Sequence, residues 1–491
     1  MKDESESFLG ELRLSRHLQS ITQVSALGLA IALGLSFIIP VHILNESGIQ
    51  SATPALLAIL VLGLTLLNIQ ELLGGSGERG GIHALVHESL GKSSGFIAAW
   101  SSLAANLLLC AALLKSASRS LAALFPEIEA YAALVAVGML ILLVLINLFH
   151  LLPRRGMLPS VLLVLLVAFV ALLISVIPSW EPSSTSTLSD SSARNYLLAI
   201  ASSITLFAGL EAITSSKRRI LMPNIRLPQG LWITLLLGGL LLISAQLLIP
   251  ALPTFSVLDE STVATISLAG AGGFRTWLTA GVVFFALLLA ASECMLTSAR
   301  VLYSLSRMEA LPRIFTRIRR PFRLPPYIFI TLTLLGSLLI LFMPSAWLIE
   351  IAAGLFLVQV ILVNLAAIRS RQAEPERRRT IVIPFFPLVP LLALTFSIVL
   401  FFGLVPLGLL GAAGWIAIGS VLLFVYARPR LLEAQHGVTV FGQDPETLRR
   451  EGAFRILVPL GSGVERRFVL GFANALARQT NGDVIPLQVI P

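Results

Sequence analysis

Twelve apolar stretches punctuate the chain, at 21–44, 55–73, 95–121, 131–151, 158–178, 196–215, 230–250, 274–302, 328–342, 346–368, 385–404 and 408–426. Most have the roughly 20 residues that a helix needs to cross a hydrocarbon core about 30 Å thick. Lipid offers the backbone no hydrogen-bond partner, so segments of this kind must be helical. The pattern predicts an all-α membrane protein with twelve transmembrane helices over 21–426, a polar segment 1–20 before them and a region of different composition, 427–491, after them.

Composition agrees with that class. Of 491 residues, 56% are hydrophobic and 12% charged, and the mean hydropathy is +0.89, far too apolar for a soluble domain of this size. Cys110 and Cys294 both fall inside apolar spans, which reads as packing rather than a disulfide framework or a metal site. The first twenty residues are charged and mostly polar, unlike a cleavable signal peptide.

The net charge of +9 is explained by where the cations lie. Lys2, Arg13, Arg16, Arg79, Lys92, Arg154 and Arg155, and the clusters within 217–226, 307–323 and 369–379, all fall on one side, whereas the opposite connections hold only Arg194. Basic loops stay inside, so both termini are expected in the cytoplasm of a multi-pass protein of the plasma (inner) membrane. A nucleic-acid partner is not implied.

One stretch, 203–230, departs from a plain membrane helix. Its helix formers give way around Gly209, Glu211 sits where lipid should surround it, and Lys217, Arg218 and Arg219 end it. An ionisable residue at that depth costs about 2.5–3.5 kcal/mol on insertion scales and marks a solute or proton path by default. A helix can loosen there only if it is buried in protein or lines a polar cavity.

Phe207-Ala208-Gly209-Leu210-Glu211, with Met222-Pro223 and Leu227-Pro228 downstream, resembles the sixth-span signature of the amino acid-polyamine-organocation transporter superfamily. Ser298 to Arg307 followed by Ala310-Leu311-Pro312 resembles the end of that family's eighth span. Glu71, then Gly80-Gly81-Ile82-His83 and Leu90-Gly91, resembles the acid and loop after its second span, with His83 in the place of a family tyrosine. The resemblance implies a five-plus-five inverted repeat, here 21–178 and 196–368, with two extra helices in 385–426. Five is odd, so the second unit must enter the membrane from the opposite side, as the charge distribution requires.

The resemblance further implies that the first and sixth spans are unwound at the membrane centre. In the first, Gly28, Ile31, Ala32, Leu33 and Gly34 would present bare N–H groups to a substrate carboxylate. Ala32 stands where the family has a glycine. In the sixth, Thr205, Phe207, Ala208 and Gly209 would supply carbonyls and a side-chain wall for the substrate amino group. The alternative is that the glycines merely allow close helix packing. Neither segment carries a charged side chain before Glu211, which favours a small neutral or apolar substrate.

The charged residues within spans sort by depth. Lys115 and Arg119 lie in the outer half of the third span, Glu293 in the inner half of the eighth and Glu211 near the inner end of the sixth. Glu350, one turn into the tenth span, is at a depth that allows a pair with Lys115; snorkelling of Lys115 and Arg119 to the headgroups is the alternative. Glu211 and Glu293 are the candidates for proton coupling or, alternatively, structural acids. The fifth span holds no lysine, the residue that proton-linked family members often use. Sodium coupling would draw on Ser292, Thr297 and Ser298, whose hydroxyls can equally bond back to their own helix. His42, His83, His87, His150 and His436 have no metal spacing, and a histidine in a loop reads as a solvated one.

Beyond residue 426, 455–460 reads as a strand, Val464, Phe468, Phe472 and Leu476 as one face of a helix, and 483–490 as a second strand. This cytoplasmic β-α-β segment resembles the opening of a universal stress protein domain. Gly461 replaces that domain's nucleotide-facing acid, so no nucleotide and no other cofactor is expected.

The expected function is secondary active transport of amino acids or related small organic solutes, proton-linked, by alternating access about the first and sixth spans. The alternatives are a cation-chloride type cotransporter on the same fold and a transport-inactive membrane sensor. No nucleophile, base and orienting group gather in a predicted loop, so an enzyme is not expected. A homodimer through the C-terminal segment is a further expectation.

Overall fold

The computed structural model describes residues 21–49, 51–75, 81–122, 124–149, 154–176, 192–217, 220, 223–248, 274–308, 310–316, 325–373, 381–427, 455–460 and 483–488. The helices are α1 (Ile21–Ser47), α2 (Thr53–Gly75), α3 (Ile82–Leu90), α4 (Lys92–Ala122), α5 (Ala132–Leu148), α6 (Arg154–Val176) and α7 (Ala193–Ser203). They continue as α8 (Phe207–Thr214), α9 (Pro223–Leu248), α10 (Phe274–Arg307), α11 (Pro326–Phe342), α12 (Ser345–Ala373), α13 (Leu388–Phe402) and α14 (Pro406–Leu422). A single turn of 3₁₀ helix, Ile204–Leu206, joins α7 to α8 into one rod, the sixth predicted span.

Ten of the described helical segments are long and apolar enough to cross a membrane, and α11 and α13 are shorter apolar helices. Their starts follow local chemistry. Pro326 and Pro406 open α11 and α14, where a missing N–H costs nothing. Ser192 caps α7, its hydroxyl accepting from Asn195 N–H at 3.3 Å. The seventh predicted span begins earlier than its apolar run, because Pro223 can open a helix ahead of the apolar residues.

Burial separates a centre from a rim. The most apolar window is 94% buried in α1, 89% in α4 and 94% in the α7–α8 rod, against 22% in α6 and 22% in α14. The rim exposes large side chains such as Leu163, Val164 and Val167 on α6 and Val421 on α14, an apolar belt suited to lipid. At the centre α4 packs along α10 and α12, and α1 along α9 and α10. The α1–α9 contact has a counterpart in the packing of α7 on α2.

The short amphipathic α3, between the second and third spans, was not predicted. Gly81, at φ 104°, donates its N–H to Thr214 O at 3.0 Å and so ties the start of α3 to the end of α8. That backbone conformation strains any residue with a Cβ.

A separate unit, 434–491, contains β1 (Arg455–Leu460) and β2 (Asp483–Gln488), paired in parallel with Arg455 opposite Asp483 and Leu460 opposite Gln488. Parallel pairing requires a crossover connection. The helix expected over 464–476 and the N-terminal segment 1–20 lie outside the described residues.

Candidate functional site

The first span is not interrupted. Residues 28–35 lie within the unbroken helix α1, so their N–H groups are committed to its own ladder and are not offered to a carboxylate. The sixth span tightens into the Ile204–Leu206 turn rather than unwinding. The reason lies in how the two rods meet. A Cβ built on Gly28 would fall 2.8 Å from Gly209 O, and one built on Gly209 would fall 2.9 Å from Gly28 O. The glycines bring backbone against backbone, the packing role that small residues serve in membranes.

The other residues expected to hold substrate are packed in the same way. Ile31, Ala32 and Leu33 are fully buried, and the Ala32 methyl sits where only a glycine, Gly238 of α9, leaves room. Gly34 faces Ala290 of α10. Thr205 donates to Ser202 O at 2.6 Å, while Phe207 lies edge-on to Phe356 of α12 with centroids 6.0 Å apart. Ala208 is buried beside them.

Polar chemistry concentrates instead around Glu211, which is 1% exposed. Ser102 and Asn106 stand one turn apart on a single face of α4. The Ser102 hydroxyl donates to Glu211 Oε1, and Asn106 Nδ2 donates to Oε2 at 2.8 Å. Gln359 of α12 completes the shell. With its amide turned to satisfy both ends, Nε2 donates to Glu211 Oε1 at 2.9 Å and the oxygen accepts from Ser102 N–H at 3.2 Å. The acid of α8 is therefore held by neutral donors from two other helices.

Glu293 lies elsewhere, on α10, where its Oε2 is 3.8 Å from Arg300 Nη2. Arg300 also reaches α8, donating to Ser215 Oγ at 3.2 Å and Ala212 O at 3.4 Å. Of the span-eight hydroxyls, Thr297 bonds back to Glu293 O at 2.8 Å, whereas Ser298 crosses to Leu103 O of α4 at 3.2 Å.

Lys115 does not pair with Glu350. Its Nζ donates to Met343 O at 2.5 Å, at the C-terminal end of α11, where unpaired carbonyls and the helix dipole attract a cation. Arg119 reaches Ser345 Oγ at the start of α12. Glu350 is buried against Gly408 of α14, whose Cβ would lie 3.2 Å from that of Glu350.

The basic-loop side holds two further polar joints. Glu71, at the end of α2, accepts from Ile383 N–H at 2.8 Å and lies 3.2 Å from Arg371 Nε of α12; that guanidinium also covers the Phe386 ring at 4.4 Å. His83 on α3 is buried, not solvated, and its Nε2 is 2.9 Å from Ser304 Oγ of α10. Burial, aided by neighbouring His87, lowers its pKa to about 4, so the ring is neutral.

Sequence reasoning found Glu211 but missed its partners. Small polar residues in apolar spans carry no individual signal, although the four-residue spacing of Ser102 and Asn106 defines a polar stripe on α4. Nothing local marked Gln359 as their neighbour.

Among the described residues, ten apolar helices with an apolar rim and a buried, hydrogen-bonded carboxyl at their centre define a polytopic membrane protein. The chain belongs to the amino acid permease family, whose sequence profile matches residues 20–428. It is 26% identical over 234 residues to the branched-chain amino acid permease BcaP of Bacillus subtilis (strain 168), covering 45% of this chain and 48% of that one. It is 22% identical over 243 residues to the methylthioribose transporter of the same organism, covering 49% and 52%. A BcaP of Lactococcus lactis subsp. cremoris (strain MG1363) is 22% identical over 228 residues, covering 46% and 49%. The chain spans about half the length of the curated relatives it matches.

Proposed function

We propose that the chain is a secondary active transporter of amino acids or related small organic solutes, linked to protons through Glu211. Membership of the amino acid permease family over 20–428 carries the transport reading. The relatives named for branched-chain amino acids and for methylthioribose favour a small substrate with an apolar side or sulfur-bearing chain. The absence of charged side chains from 203–210 agrees with a neutral cargo.

Proton linkage is supported by the surroundings of Glu211. A buried carboxylate surrounded only by neutral donors can be relieved of its charge by a proton, with the hydroxyl and amide partners reorganising around it. Alternating access would separate α1 from α8 at the Gly28–Gly209 contact. All twelve apolar helices would cross the membrane as two inverted units, 21–178 and 196–368, plus 385–426, with both termini and the 427–491 segment in the cytoplasm. The paired relations α1–α9 and α7–α2 support that repeat. The parallel strands support a β-α-β segment that would mediate regulation or homodimer contact.

Uptake of radiolabelled leucine into proteoliposomes, with a panel of competing amino acids and with and without a pH gradient, tests the reading. Saturable uptake driven by an inward proton gradient and loss of that drive in Glu211→Gln are expected. Chloride-dependent cation flux, or binding without flux, would instead favour an ion cotransporter or a sensor.

A further inference from the structure

The amide of Gln359 can lie two ways at one set of atom positions, and the two ways suit different protonation states of Glu211. In one, Nε2–H points at Glu211 Oε1, 2.9 Å away, and the oxygen accepts from Ser102 N–H at 3.2 Å. That arrangement stabilises a carboxylate, which only accepts. Reversed, the amide puts its oxygen 2.9 Å from Oε1. Two acceptors at that distance repel unless one carries a proton. A carboxylic acid O–H at Oε1 donates to the amide oxygen and removes the conflict.

We propose that Gln359 is a positioning residue that reads the proton on Glu211: protonation at Oε1 reverses the amide and exchanges its contact with Ser102 N–H for acceptance from the acid. The inference rests on the proton-linked reading of Glu211 given above. The proton, taken from water when the site opens, is placed on Oε1, the oxygen that faces the Gln359 amide, while Asn106 Nδ2 goes on donating to Oε2 at 2.8 Å. The Ser102 hydroxyl can rotate and Ser102 N–H keeps its place in the α4 ladder, but the reversed amide turns Nε2, a donor, toward that N–H and so gives up its hold on α4. The ionised state thus ties α12 to both α8 and α4, and the protonated state keeps only the tie to α8. Gln359 stands five residues before Asn364, which donates to Thr65 Oγ1 and accepts from Asn68 on α2, so the same helix carries the change toward the second span.

The titratable groups around this site are few among the described residues. Cys294 of α10 interacts electrostatically with Cys110 of α4, with Glu293 and with Glu211. Arg300 of α10 binds the carbonyl of Ala212, next in sequence to Glu211. On its other sides α8 meets Gly28 of α1 and Thr234 of α9, neither of which titrates.

pH-difference infrared spectroscopy on the purified full chain tests the proposal without any substrate. Wild type is expected to show a titrating carboxylic C=O band that disappears in Glu211→Gln. In Gln359→Met, which keeps the volume without hydrogen-bonding groups, that band shifts to higher wavenumber because the acid loses its acceptor. The Gln359 side-chain amide band, identified by its absence in Gln359→Met, changes frequency across the same titration. Should that variant not fold, Gln359→Asn, whose shorter amide withdraws from Oε1, is expected to give the same displacement. An identical carboxyl band in wild type and the position-359 variants, or an amide band silent to pH, overturns the inference while leaving Glu211 as the proton site. A titrating band that survives Glu211→Gln, or none at all, overturns both.

Discussion

Trp100 and Trp415 hold each other by two reciprocal hydrogen bonds: each indole Nε1–H donates to the other's backbone oxygen at 3.0 Å, and the rings stack with centroids 4.7 Å apart. The pair fastens α14 to α4, and Trp100 lies over Gly419, where no side chain could stand. An outlying helix is thereby joined to the helix that carries Ser102 and Asn106.

Trp100→Ala removes the stack and the indole donor to Trp415 O, while the Trp415 N–H keeps the backbone carbonyl of residue 100, and is expected to cost about 3–5 kcal/mol, the range for large aromatic truncations. Trp100→Phe keeps a ring but not the donor and should cost about 1–2 kcal/mol. Thermal unfolding of the purified protein in one detergent measures both. Equal losses for the two variants would mean that the ring stack adds nothing beyond the hydrogen bond.

At the Gly28–Gly209 contact, a methyl on either residue meets the carbonyl of the other helix. Gly28→Ala and Gly209→Ala are each expected to destabilise the closed arrangement by about 1–3 kcal/mol through overpacking. Leucine uptake should fall several-fold with insertion into the membrane unchanged. Full uptake in the double variant would show that the two helices need not touch during transport.

The neutral, buried His83 makes stability depend on pH in one direction. Its folded pKa, about 4, lies below the unfolded value of 6.5, so the unfolded chain binds the proton more readily. Stability is complete above pH 6.5 and falls as the pH drops toward 4, by up to about 3 kcal/mol. His83→Asn should flatten the unfolding temperature across that window relative to wild type. A parallel pH profile in the variant would place the sensitivity elsewhere.

The Glu71 carboxylate draws on Arg371 and Ile383 N–H together. Arg371→Ala is expected to cost about 2–4 kcal/mol, toward the lower side of what breaking a buried pair costs, since the guanidinium is partly exposed. Arg371→Lys keeps the charge but loses the planar contact with Phe386, and should recover only part of the loss. Chemical unfolding of the three proteins side by side decides between charge and shape.

Much of the helix pattern was legible because it is local. Runs such as 95–121 and 346–368 must be helical in lipid whatever they pack against, and they correspond to α4 and α12. The strands at 455–460 and 483–488 were readable as short apolar runs, the second ending two residues earlier than expected. Whether the first span breaks could not be read from sequence, because a glycine signals both loosening and close packing. Only the position of Gly209 O against Gly28 separates the two. The partner of Lys115 was open for a related reason: depth along a helix restricts partners but leaves the azimuth undecided, and in the structure its Nζ meets the carbonyl end of α11 rather than Glu350.

The sequence by itself determined that this chain is a stack of membrane helices with a carboxyl buried at Glu211, since hydropathy and the cost of placing a charge in lipid are properties of single segments. Only the tertiary structure decided what meets that carboxyl. Ser102, Asn106 and Gln359 come from spans more than a hundred residues away along the chain, and nothing short of helix packing sets which faces of α4, α8 and α12 turn toward one another.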